Sequence, residues 1–168
     1  NSIEISSRSW RGWQLPIRTD SFHSNAKIEE INTNQIINSF KEGVKVAVVS
    51  GFQGIEQAGR ITTLGRGGSD TSAVAIAAAI DAERCDIYTD VSGIYTTDPR
   101  IKKNASKLKK ISFEEMLEMA SLGANVLQTR AVELAMRHKV PIRVLNSFLK
   151  EEGTLVCDEE EIMEKNIV

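Results

Sequence analysis

The sequence predicts an α/β fold, a three-layer αβα sandwich with helices on both faces of a mainly parallel central sheet. Three observations carry this reading. Apolar strand-like runs alternate with helical segments along the chain, the order that builds parallel sheets. Residues 44–50, VKVAVVS, form a β-branched run closed by Gly51, the pattern of a strand buried on both faces. Residues 69–80, SDTSAVAIAAAI, form an alanine-rich segment whose small side chains suit close packing on a sheet.

Taken in order, residues 1–20 carry Trp10 and Trp13 but no start signal or flexible arm, and they read as the middle of a domain. Residues 26–31 fit a short strand. Thr33 is placed to cap a helix over 34–41, with Ile36, Ile37 and Phe40 at helical spacing. The 44–50 strand follows, then the 69–80 helix, for which Ser69 or Asp70 is the expected cap. CDIYT at 85–89 is the next strand. Ser112 and Glu115 have the spacing of a capping box, opening a helix that Gly123 stops. A helix over 129–139, a strand over 141–145 and a final strand around Gly153-Thr-Leu-Val complete the list of elements. The acid-rich residues 158–168 read as a linker or docking helix leaving the domain.

Length and composition narrow the function. The chain has 168 residues, enough for one compact domain and one core. Against 21 Lys+Arg stand 23 Asp+Glu, a net charge of −2, so no basic field exists to hold a nucleic-acid backbone. The content is 41% hydrophobic and 26% charged, which fits a folded chain. No apolar run approaches the roughly 20 residues that span a bilayer, so a soluble, cytoplasmic protein without membrane partners is expected. Cys85 and Cys157 have no metal-ligand spacing and are expected to be passive. With only His23 and His138 besides, no metal site is expected. Lys102, Lys103, Lys107, Lys109 and Lys110 read as a solvated basic face.

Two segments carry chemistry. In TTLGRGGSD, residues 62–70, three glycines surround Arg66 and lead into a helix start at Ser69. Glycines let the backbone approach an anion, the helix start offers unpaired N–H groups, and an arginine suits bidentate contact with carboxylate or phosphate. The same residues also fit a plain glycine turn with Asp70 as an ordinary cap. In TDVSGIYTTDPR, residues 89–100, Asp90, Tyr95, Asp98 and Arg100 lie at the carboxyl end of an expected strand, where ligands of open α/β sheets collect. An irregular surface loop held by turns is the alternative.

Longer stretches are distinctive: SRSWRGWQLPIRT at 7–19, VVSGFQG at 48–54, GRITTLGRGGSDTSAVAIAAAI at 59–80, the 87–100 loop with its strand, and ISFEEMLEMASLGANVL at 111–127. With these segments the sequence resembles the aspartate kinases of the amino acid kinase superfamily over nearly its whole length. The T-D-V-x-G-x-Y-T-x-D-P loop is shared by the wider superfamily, whereas TTLGRGGSD and SW-x-GWQ-x-PI narrow the likeness to aspartate kinase.

The resemblance implies an enzyme that uses ATP and Mg²⁺ to phosphorylate the side-chain carboxylate of L-aspartate, the step toward lysine, methionine and threonine. It implies that Arg66 and Ser69 contact aspartate and that Asp70 is the acidic residue of the phosphoryl-transfer centre. It implies that Gly67, Gly68, Thr89, Asp90, Tyr95 and Arg100 hold ATP. Asn125 stands in GANVL, where the family often has an ATP-contacting lysine, and Gln128-Thr129-Arg130 replaces its usual His-Pro-Arg. The K-F-G-G-T segment with which family members begin does not occur here, so the phosphate-contacting lysine is expected from outside this chain. Residues 1–157 are thus expected to be the C-terminal part of a catalytic domain, inactive alone, and 158–168 a linker toward regulatory ACT domains. A homo-oligomer is expected of the full-length protein. The rival readings are a kinase of glutamate, carbamate or uridylate, and a non-catalytic nucleotide-binding half-enzyme.

Overall fold

The computed structural model describes residues 4–124 and 126–163. They fall into two compact units that meet in sequence at Asp81 and Ala82.

The first unit opens with β1 (Ser7–Trp10) and β2 (Ile17–Thr19). The sequence reading assigned no elements here, because three- and four-residue strands earn their stability from distant partners. β3 (Ile28–Ile31) and α1 (Asn34–Lys41) lie where they are expected. Thr33 occupies the cap position of α1, but its hydroxyl does not cap. It donates instead to the Ala79 carbonyl at 3.3 Å, and Asn32 Oδ1 accepts the Asn34 N–H at 3.1 Å. β4 (Val46–Val49) pairs in parallel with β1. Burial on both faces does not hold for this strand: Val46 is 41% and Val48 55% exposed, because among the described residues β1 is its sole sheet neighbour.

Two further strands, β5 (Gln53–Ile55) and β6 (Ile61–Thr63), form an antiparallel hairpin that the sequence reading missed. They extend a four-stranded sheet in the order β3-β2-β5-β6. Gly54 is required there, since a Cβ at this position would strike the Thr19 side chain and the Ile17 carbonyl. The unit ends with α2 (Gly68–Ala79). Trp10, Leu15 and Ile36 form its buried cluster, with Ala47, Val49 and Ile76 packed around them.

The second unit is built on β7 (Cys85–Thr89), β8 (Lys110–Ser112), β9 (Ile142–Asn146) and β10 (Thr154–Cys157), in the order β7-β9-β10-β8. β7 and β9 run parallel with Thr89 opposite Asn146, so both chains leave the sheet side by side at their carboxyl ends. β10 is antiparallel to β9 and parallel to β8. The α/β class therefore stands, while among the described residues the strands divide among three sheets, of which the two four-stranded ones mix parallel and antiparallel pairs.

Helices α3 (Phe113–Ser121) and α4 (Thr129–His138) pack on one another, and Phe113, Met116, Val132 and Ala135 are buried. The capping box forms as expected: the Glu115 N–H donates to Ser112 Oγ, and the Ser112 N–H to Glu115 Oε2, both at 3.1 Å. Ser112→Ala is expected to cost about 1 kcal/mol of stability, seen as a lower melting temperature. An unchanged melt would show that the cap contributes nothing. Residues 159–163 form a short helix, α5 (Glu159–Met163), whose Glu161 carbonyl accepts from Lys110 Nζ at 2.8 Å. Cys85 and Cys157 are both buried, and among the described residues neither forms a disulfide. Among the described residues no helix is long and apolar enough to cross a membrane.

Candidate active site

The glycine segment forms a tight turn into α2. Gly65 and Gly67 adopt left-handed conformations, with φ of +75° and +69°. The Gly68 N–H closes the turn on the Gly65 carbonyl at 3.0 Å. The cap of α2 is Gly67, which has no side chain, rather than Ser69 or Asp70. This difference bears directly on function. A serine or aspartate cap consumes helix-end donors, whereas a glycine cap leaves them open. The Thr71 N–H and hydroxyl both donate to the Gly67 carbonyl at 3.0 Å, so the N–H groups of Ser69 and Asp70 remain as the helix-end donors.

Arg66 and Ser69 are exposed, and Gly68 is buried. Among the described residues Arg66 has neither a hydrogen-bond nor an ion-pair partner. A guanidinium without an internal partner beside open N–H donors is equipped to take a carboxylate or phosphate from solution. Asp70 lies in the first turn of the helix, half-buried, and burial pushes its carboxyl above the ordinary carboxylate range.

The sequence reading missed one participant in this turn. Phe52 has a left-handed backbone, φ +67°, which is uncommon for an aromatic residue and costs energy. Its N–H donates to Ser72 Oγ at 3.1 Å, and its carbonyl accepts from the Leu64 N–H at 3.0 Å. A Cβ at Gly68 would lie 2.8 Å from the Phe52 ring and 2.9 Å from Leu64 Cβ, so the glycine admits this packing. The available signal was Phe52 standing between a glycine before and another two positions after, in SGFQG. A concavity of about 510 Å³ in the same unit, lined by Arg8, Trp10, Trp13 and Gln14 among others, includes no residue of the glycine turn.

In the second unit, residues 89–100 leave the carboxyl end of β7 as an open loop. Thr89 is half-buried and its hydroxyl donates to the exposed Asp90 carboxylate at 3.2 Å. Tyr95 is half-buried and bridges to Lys107 in an isolated antiparallel pair. Arg100 is exposed and ion-paired with Asp98 at 2.9 Å. The Asp98 carboxylate raises the Arg100 guanidinium, which lowers Asp98 in return. Arg100 thus has a resting ion-pair partner, whereas among the described residues Arg66 has none. Asn125 lies outside the described residues. The structure therefore groups Arg66, Gly67, Gly68, Ser69 and Asp70 in one turn, and Thr89, Asp90, Tyr95 and Arg100 on one loop of the other unit.

Among the described residues no three His, Cys, Asp or Glu side chains gather as a metal site.

The model of the amino acid kinase family matches residues 3–146. An aspartate kinase of Pseudomonas putida is 57% identical over 161 residues, covering 95% of this chain and 39% of the relative. Aspartokinase 2 of Bacillus subtilis is 53% identical over 95% of this chain and 39% of its own length. The chain thus spans about two fifths of the relatives it matches. Among solved structures, E. coli aspartokinase III in complex with aspartate and ADP superposes with a TM-score of 0.83 at 38% identity, over 93% of this chain and 36% of that one. A UMP kinase of Bacillus anthracis, at 18% identity and a TM-score of 0.62 over 92% of this chain and 59% of that one, shares the fold.

Proposed function

Because the chain belongs to the amino acid kinase family, whose model matches residues 3–146, we propose that it is part of an aspartate kinase. In this reading residues 1–157 form the C-terminal, ATP-binding part of the catalytic domain, and residues 158–168 lead toward regulatory ACT domains. The reaction transfers the γ-phosphoryl group of ATP to the side-chain carboxylate of L-aspartate, giving 4-phospho-L-aspartate and ADP. The observation that carries the reading is the glycine-capped start of α2, with open N–H donors and the unpaired Arg66 beside it. The names of the relatives, and the aspartate and ADP held by E. coli aspartokinase III, support the choice of substrates.

Each residue then has a task set by its chemistry. Arg66 and Ser69 hold the anionic aspartate. Gly67 and Gly68 let the backbone approach a phosphate without a Cβ in the way. Thr89, Asp90, Tyr95 and Arg100 receive ATP, with Asn125 assigned to it by position alone. A carboxylate oxygen attacks the γ-phosphorus, the bond from that phosphorus to its bridging oxygen breaks, and ADP leaves. A side-chain carboxylate, with a reference pKa of about 3.9, is already ionised at neutral pH, so the nucleophile needs no general base. Asp70 therefore organises cationic groups around the transfer and accepts no proton. Mg²⁺, when bound, would supply neutralisation of the transferring charge. The product feeds lysine, methionine and threonine synthesis, in a cytoplasmic homo-oligomer.

A substrate panel tests this reading. ADP release by the gene-encoded polypeptide is expected with aspartate, and not with glutamate, carbamate or uridylate. Release with one of the other three instead would reassign the chain within its family. ATP binding with no turnover on any of the four would favour the non-catalytic half-enzyme.

A further inference from the structure

The 89–100 loop is held by two residues of the β9–β10 pair that neither its sequence nor the proposed chemistry singles out. Thr154, the first residue of β10, is fully buried. Its hydroxyl accepts the Ile94 N–H at 2.8 Å and donates to the Leu108 carbonyl at 2.6 Å. The Leu108 N–H donates to the Ile94 carbonyl at 2.9 Å, so these two residues face each other as a small antiparallel pair. The Thr154 hydroxyl is inserted into the second half of that pair, relaying the Ile94 N–H to the Leu108 carbonyl. Gly93, at φ +138°, makes room for it, since a Cβ there would lie 2.5 Å from Thr154 Oγ1.

Asn146 holds the start of the same loop. It is 9% exposed and lies opposite Thr89 in the β7–β9 register. Its Oδ1 accepts the N–H groups of Phe148 and Leu149 at 2.8 and 3.1 Å, which fixes its amide. Its Nδ2 then faces the Asp90 carbonyl and Ser92 Oγ, both at 3.4 Å. Backbone contact between the Ser147 N–H and the Thr89 carbonyl, at 2.8 Å, ties the two strand ends together.

We infer that Thr154, assisted by Asn146, is a positioning residue for nucleotide: it fixes the backbone at Ile94, and so places Tyr95 and Asp90, before ATP arrives. This rests on the reading of the 89–100 loop as the ATP site. A loop ordered in advance loses less freedom on binding, so its fasteners set nucleotide affinity. They leave affinity for the second substrate untouched.

The test is direct titration of the gene-encoded polypeptide with Mg·ATP, alongside steady-state kinetics in aspartate. Thr154→Val keeps the shape and removes both hydrogen bonds, and is expected to raise the Kd for ATP about tenfold while the KM for aspartate changes less than about twofold. Thr154→Ser restores the hydroxyl and is expected to restore the parent Kd. Asn146→Asp, which turns an oxygen toward the Asp90 carbonyl, is expected to weaken ATP severalfold and serves if the valine variant does not fold. A parent that binds ATP with variants that bind it equally well, however much less stable they are, overturns the positioning role alone. A parent that binds no ATP overturns the nucleotide reading and this inference with it.

Discussion

Replacing Arg66 with alanine in the gene-encoded polypeptide is expected to raise the KM for aspartate by about 10- to 100-fold, the scale of a hydrogen-bonded contact to a charged group. ATP affinity is expected to stay within about twofold of the parent. The asymmetry follows from where the arginine sits. In the turn that opens α2 Arg66 offers a cationic side chain, whereas the adjacent Gly67 and Gly68 are proposed to meet phosphate through backbone that the substitution keeps, and the other residues proposed for ATP, Thr89, Asp90, Tyr95 and Arg100, stand on a different loop. The exposed side chain has no partner among the described residues, so its removal leaves no buried group unsatisfied and the fold unharmed. Unchanged aspartate kinetics in Arg66→Ala would refute its role, and an equal loss of ATP binding would move it to the nucleotide.

Asp70→Asn is expected to lower kcat about a hundredfold, the penalty of a misplaced reacting group, while raising stability at neutral pH. The second half of this expectation comes from the carboxyl's burial. Burial raises its folded-state pKa above the ordinary value of 3.8. Between those two values the folded protein keeps a proton that the unfolded chain has lost, so stability falls as pH rises through this window. The cost is absent in acid and fully present at neutral pH. Asparagine cannot ionise and escapes it. The melting temperature of the variant should therefore exceed the parent's at pH 7, and the difference should vanish toward pH 3. A group that destabilises its own fold yet is needed for turnover marks a site kept for chemistry. A variant less stable than the parent at pH 7, or one with full activity, would contradict this account of Asp70.

How far the sequence spoke for itself depended on how local each signal was. Cys85–Thr89 and Asn34–Lys41 are found with the bounds expected of them, and the Ser112 capping box forms both of its bonds. In each, the determinants lie within a few residues. The strands Ser7–Trp10, Ile17–Thr19, Gln53–Ile55, Ile61–Thr63 and Lys110–Ser112 are three or four residues long and owe their existence to pairing across the fold. No window of the sequence announces them.

The misread features have the same origin. The VKVAVVS run looks buried on both faces because its composition reports what a strand can tolerate, whereas its neighbours decide what is covered. Ser69 and Asp70 carry capping side chains and so look like the α2 cap, yet Gly67 does the capping, and a missing side chain leaves no chemical signature. In the candidate site, the glycines, Arg66 and the acidic loop residues were legible as residue types suited to anions and nucleotides. Phe52, Asn146 and Thr154 were not, because a strained φ and a relayed hydrogen bond exist only once distant segments meet.

The central claim is that this chain belongs to an enzyme making an acyl phosphate on the aspartate side chain, and hydroxylamine trapping tests it most directly. Incubated with Mg·ATP, L-aspartate and hydroxylamine, the gene-encoded polypeptide is expected to yield aspartate 4-hydroxamate in step with ADP. ADP formed without the hydroxamate, or a hydroxamate formed from glutamate in place of aspartate, would contradict it.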